Sequence, residues 1–133
     1  MRVRSNERND MRKAFALLAA VFVIGTGAIG ASAQAWPGDC GSGRVCLYDS
    51  YDYVTQLGWR STGFAQQNIS STNNDRMASW ANHTSKNGAW YSNSNAGGDC
   101  TDMNSGVQNP ALGILSRDKA SSWRGTANCQ DIA

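Results

Sequence analysis

The chain has 133 residues with 12 Lys and Arg, 10 Asp and Glu, a formal net charge of +2 and four cysteines, a length that fits one domain. Five of the basic residues but only two of the acidic ones precede Gln34, so positions 34–133 carry seven basic against eight acidic side chains. No basic stripe remains there, which excludes nucleic acid and anionic membrane as partners.

In chain order, Arg2, Arg4, Arg8, Arg12 and Lys13 form a basic start, and an apolar run from Ala14 to Ile29 follows. Ala31-Ser32-Ala33 then supplies a small-x-small cleavage pattern, so residues 1–33 read as a secretory signal peptide. The apolar run spans 16 residues and includes Gly25, Thr26 and Gly27, short of the roughly 20 a bilayer span needs. Met11-Arg12-Lys13 also makes a compact start of its own. The expectation is a secreted, extracellular domain over 34–133, monomeric and free of the membrane after cleavage.

Within 34–133 the Val, Leu and Ile residues are only Val45, Leu47, Val54, Leu57, Ile69, Val107, Leu112, Ile114, Leu115 and Ile132. Burial of the Trp and Tyr side chains must therefore carry much of the core. Small secreted domains of this kind commonly add disulfides. Cys40, Cys46, Cys100 and Cys129 allow three connectivities; Cys40–Cys46 with Cys100–Cys129 is favoured because the first two flank a Gly-Ser-Gly turn. A zinc site is disfavoured, since the spacing is not that of paired Cys-x2-Cys ligands and His83 is the lone histidine.

The sequence repeats itself at an offset of 43 residues: Tyr48 with Tyr91, Asp75 with Asp118, Arg76 with Lys119, Ser79 with Ser122, Trp80 with Trp123. Such a period marks a duplicated unit. Apolar runs are short and turn residues dense, so the unit is β rather than helical. Strands are expected near 44–49, 53–60, 76–82, 87–92, 111–115 and 120–125, with Gln66 to Asp75 mainly a loop. Two four-stranded Greek keys packed as a β-sandwich give an all-β, disulfide-stabilised domain.

The duplication, Tyr48-x4-Tyr53 and the Ser-Trp endings resemble a βγ-crystallin domain. The resemblance implies a folded hairpin in each unit, pinned by Ser79 and by Ser122. Thr55 stands where that family has Gly, and Ala96 stands at an aromatic position, while Gly98 fits. The opening Cys40-Gly-Ser-Gly-Arg-Val-Cys46-Leu-Tyr48, the segment Ala78 to Thr84 and the stretch Asp118 to Ser122 resemble the secreted peptidase inhibitors of the Streptomyces metalloproteinase inhibitor type. That implies an extracellular peptidase as partner, a metallopeptidase first, and no enzymatic activity.

The same resemblance places an inhibitory loop within Asn95 to Gly106, centred on Cys100, Thr101, Asp102 and Met103. No second cysteine follows within a few residues, which favours an ordinary surface loop whose Cys100 fastens the C-terminus. Calcium is the second chemistry considered, through Asn74-Asp75-Arg76-Met77-Ala78-Ser79 and Arg117-Asp118-Lys119-Ala120-Ser121-Ser122. Asp75, Asp118 and Ser121 are the ligand candidates, but Ala78 lacks a hydroxyl and Arg76, Arg117 and Lys119 oppose a divalent ion, so no cofactor is expected. Catalysis lacks a constellation: 34–133 contain no Glu, and His83 reads as an exposed turn residue. The alternative class is a carbohydrate- or cell-surface-binding module using Trp36, Trp59 and Trp90, with Trp80 and Trp123 in the core. Asn68-Ile-Ser and Asn82-His-Thr match a glycosylation pattern by coincidence.

Overall fold

Short strands, several of them buried on both faces, build the structure, a computed structural model that describes residues 35–131. The expected signal peptide lies outside the described residues. The strands are β1 (Arg44–Tyr48), β2 (Gln56–Ser61), β3 (Gln67–Asn68), β4 (Ser79–His83), β5 (Gly88–Asn93), β6 (Gly97–Met103), β7 (Gln108–Asn109) and β8 (Ser122–Arg124). They form two antiparallel sheets in the orders β2-β1-β4-β7 and β3-β8-β5-β6. Each half of the repeat thus lends one two-residue strand to the other's sheet, β3 pairing with β8 and β7 with β4. Neither half completes its sheet alone.

The two-residue period of a strand sorts side chains by face. Val45 and Leu47 of β1 enter the main core with Met77, Trp80, Trp90, Met103, Leu112, Ala120 and Trp123. Cys46 and Tyr48 point to the opposite face and are buried with Cys40 and Ala81. The segment before β1 covers that face, anchored by the Cys40–Cys46 disulfide. The second sheet is treated alike: Cys100, opposite Tyr91, bonds to Cys129 and brings the C-terminal segment to it. Chain-entropy arithmetic for separations of 6 and 29 residues gives about 2 and about 3.5 kcal/mol.

Several expected elements shift. The strand placed at 53–60 begins at Gln56, because the turn over Tyr51–Tyr53, with Asp52 and Tyr53 in the left-handed region, folds the hairpin back. The strand expected over 76–82 is Ser79–His83. The strand expected at 111–115 is absent: Gly113 O accepts from the N–H groups of Ser116 and Arg117, closing a turn over 114–118. Only Leu112 of that stretch reaches the core, at 4% exposure. Gln66 to Asp75, read as a loop, contains β3.

The hairpin crown of the first unit holds Thr55 at φ 58°, where the second unit has Gly98 at φ 73°. A β-branched residue in the left-handed region is strained by contact between its Cβ and the backbone. Thr55→Gly is therefore expected to raise stability by about 1 kcal/mol, read from the urea midpoint, the gain being net of added unfolded-state entropy.

Tyr48 is fully buried and its hydroxyl donates to Asp39 Oδ1 at 2.7 Å. Burial first, and the hydrogen bond to Asp39 second, push its pKa well above the usual tyrosine range. The folded state therefore holds this proton more tightly than the unfolded chain does. Its contribution is intact below the unfolded value of about 10 and declines as pH rises beyond it. Denaturation curves between about pH 8 and 11.5 should show stability falling at the alkaline end, with a smaller fall in Tyr48→Phe.

Candidate functional site

The two folded hairpins hold the serines expected to pin them and lead, in the second unit, into the segment expected to act. In the first unit, Ser79 Oγ donates to Ser50 O at 2.6 Å and accepts from Tyr53 N at 3.2 Å. In the second, Ser122 Oγ donates to Asn93 O at 2.7 Å and accepts from Ala96 N at 3.0 Å. Both serines are fully buried at the start of a strand, so one hydroxyl satisfies a carbonyl and an amide the bent crown leaves unpaired. The bond to Ala96 uses main chain, which is why an alanine suffices at that crown position.

The stretch expected as a loop around Cys100, Thr101, Asp102 and Met103 is instead β6, an edge strand paired along β5. Three of those four side chains have partners within the fold. Cys100 is bonded to Cys129, Asp102 Oδ1 accepts from Cys129 N at 2.6 Å, and Met103 is fully buried in the core. Thr101 lies opposite Trp90 and is half-buried. The Gly- and Asp-rich composition concealed a strand whose pairing is set by β5.

Two of the three calcium candidates, Asp75 and Ser121, are in contact. Ser121 Oγ donates to Asp75 Oδ1 at 3.2 Å, while Asp118 Oδ2 lies 3.8 Å from Arg117 Nε. Arg76 pairs with Asp49 at 2.6 Å. Each half thus contributes a single carboxylate, and among the described residues no three His, Cys, Asp or Glu gather in one place. One carboxylate in each half is a sparse charged donor set for a divalent ion that prefers six to eight oxygens.

The aromatic candidates divide. Trp90 is 2% exposed and belongs to the core with Trp80 and Trp123, which removes it as a sugar platform. Trp36 stacks on His83 with centroids 4.1 Å apart and planes 5° from parallel. His83 is no exposed turn residue: it ends β4, half-buried, and its Nδ1 donates to Cys40 O at 3.0 Å. The Arg44 guanidinium lies 3.9 Å above the Trp59 ring. A face of each candidate ring is therefore already covered.

Two features escaped the sequence reading. Asn82, inside the glycosylation pattern, is fully buried and joins the two sheets, its Nδ2 donating to Met103 O and Lys86 O. Ile114 and Leu115 are 77% and 80% exposed, although aliphatic residues are scarce. The 43-residue offset was a usable signal, since it aligns them with Ser71 and Thr72.

Paired Greek keys with serine-pinned hairpins and exchanged strands define a βγ-crystallin-type domain. A βγ-crystallin domain from Flavobacterium johnsoniae is similar at 27% identity and a TM-score of 0.51, covering 60% of this chain and 90% of that one. A structure described under the evolution of the eye lens βγ-crystallin domain fold is 20% identical with a TM-score of 0.54, covering 68% of this chain and 91% of its own, and bears on fold alone. Comparison with curated proteins gives no match. The model of peptidase inhibitor family I36 matches residues 33–103. The chain belongs to that family, the non-catalytic Streptomyces metalloproteinase inhibitor family.

Ser122→Ala should leave Asn93 O and Ala96 N without their partner, costing about 1–3 kcal/mol. Equilibrium denaturation measures the loss, and a change below about 0.5 kcal/mol would contradict the pinning role.

Proposed function

We propose that the protein is exported and acts outside the cell as a monomeric, stoichiometric inhibitor of a zinc metallopeptidase. The observation that carries this reading is membership of the peptidase inhibitor family over residues 33–103. Two disulfides are in keeping with an oxidising, extracellular setting.

A preorganised frame supports this reading. Affinity falls by the entropy of every segment that must be ordered on binding, so a frame ordered in advance binds more tightly. Here both hairpins are pinned by buried serines, and the outer face of each sheet is covered by a stapled terminal segment. Cys100, Asp102 and Met103 are already engaged in a disulfide, a hydrogen bond and the core, which supports placing the enzyme contact elsewhere on the surface.

Titrating residues 34–133 into a thermolysin-type metallopeptidase tests the reading. Residual activity should fall linearly to an endpoint near one inhibitor per enzyme. Undiminished activity at large molar excess would remove the metallopeptidase class and direct the search to other peptidases.

A further inference from the structure

The turn over 114–118 spends two scarce aliphatic residues on solvent. Ile114 and Leu115 are 77% and 80% exposed, whereas Leu112 two residues earlier is 4% exposed. The duplicated half shows that the fold does not require them. There, Ser70 O accepts from the N–H groups of Asn73 and Asn74, as Gly113 O accepts from those of Ser116 and Arg117. Ile69 N and Leu112 N donate to Ser121 O and Ala78 O, and Asp75 N and Asp118 N donate to Ala120 O and Met77 O. The same backbone thus carries exposed Ser71-Thr72 in one unit and exposed Ile114-Leu115 in the other.

The second turn is also held from the side. Arg117 Nη1 donates to the hydroxyl of Tyr51 at 3.0 Å, and Tyr51 is itself 39% exposed. An apolar pair stands at the tip, rimmed by Ser116, Arg117, Asp118 and Lys119. Apolar anchors on a preorganised segment within a polar rim are the anatomy of a protein-docking hot spot. The turn is helical in its hydrogen bonding, so it does not lie along a cleft as an extended strand. It fits a concave apolar recess instead.

We propose that this turn is the element that engages the target peptidase, with Ile114 and Leu115 filling an enzyme pocket selective for branched aliphatic side chains. The assignment rests on the inhibitor reading and names the contact that reading leaves open. Filling the pocket with the tip of a closed turn blocks substrate without offering an extended peptide bond for cleavage.

The test grafts the residues of the first unit onto the second, Ile114→Ser with Leu115→Thr, and compares inhibition of the thermolysin-type metallopeptidase and of a serine peptidase with an apolar specificity pocket. The variant should keep its thermal midpoint and weaken binding at least ~100-fold, since two aliphatic side chains lose their burial. Val107→Ser, at a residue 45% exposed elsewhere, should bind within about twofold of the parent. If the parent inhibits and the grafted variant inhibits equally, the turn is not the contact while the inhibitor reading stands. If the parent inhibits neither enzyme, both fail. A concentration-dependent dimer abolished by the graft, with inhibition unchanged, would reassign the turn to self-association and overturn the proposal.

Discussion

A buried serine hydroxyl at the crown of a folded hairpin, used twice, is the constraint on which the remaining structure depends. Bending a hairpin back over its own sheet strips the crown of ladder partners. Ser79 and Ser122 each return one acceptor and one donor to that crown. With the crowns fixed, β1 and β5 keep their registers up to the bulges at Leu47/Tyr48 and Tyr91/Asn93. Tyr48 and Tyr91 are consequently buried on the outer faces instead of standing in water.

A sequence so poor in aliphatic residues cannot rely on one oily interior. The main core relies on Trp80, Trp90 and Trp123 alongside two methionines, and Phe64 meets Trp123 edge-on at 4.6 Å. A second apolar layer forms outside the first sheet, where Cys40, Cys46, Tyr48 and Ala81 are covered by Trp36 and Tyr53. The disulfides hold terminal segments over both outer faces, so covalent bonds assist where hydrophobic area is thin. Exchange of β3 and β7 then makes the two halves interdependent.

For the function, the change of β6 from expected loop to strand is decisive. Cys100, Asp102 and Met103 are there engaged in a disulfide, a hydrogen bond and the core, and the proposed enzyme contact is the turn over 114–118. Divergence between the two halves is informative because the backbone is shared. Ile69 and Leu112 answer the same packing demand, while Ser71-Thr72 and Ile114-Leu115 answer different ones.

The sequence by itself determined what local chemistry and periodicity can encode. The repeat, the all-β character, the Cys40–Cys46 preference and the core positions of Trp80 and Trp123 were legible because each depends on residue spacing or on a short turn. The resemblance carried the pinning roles of Ser79 and Ser122. What only the tertiary structure decided depends on partners distant in the chain. Gly97–Met103 becomes a strand because β5 pairs with it, and Trp90 is buried because β8 and the opposite sheet enclose it. His83 is drawn under Trp36 by a carbonyl 43 residues away, and Asn82 is buried because two sheets need a polar bridge. Ile114 and Leu115 fell in a strand expected at 111–115, yet the turn that closes on Gly113 leaves them in solvent. Hydrophobicity is a property of the residue, whereas burial is a property of the fold.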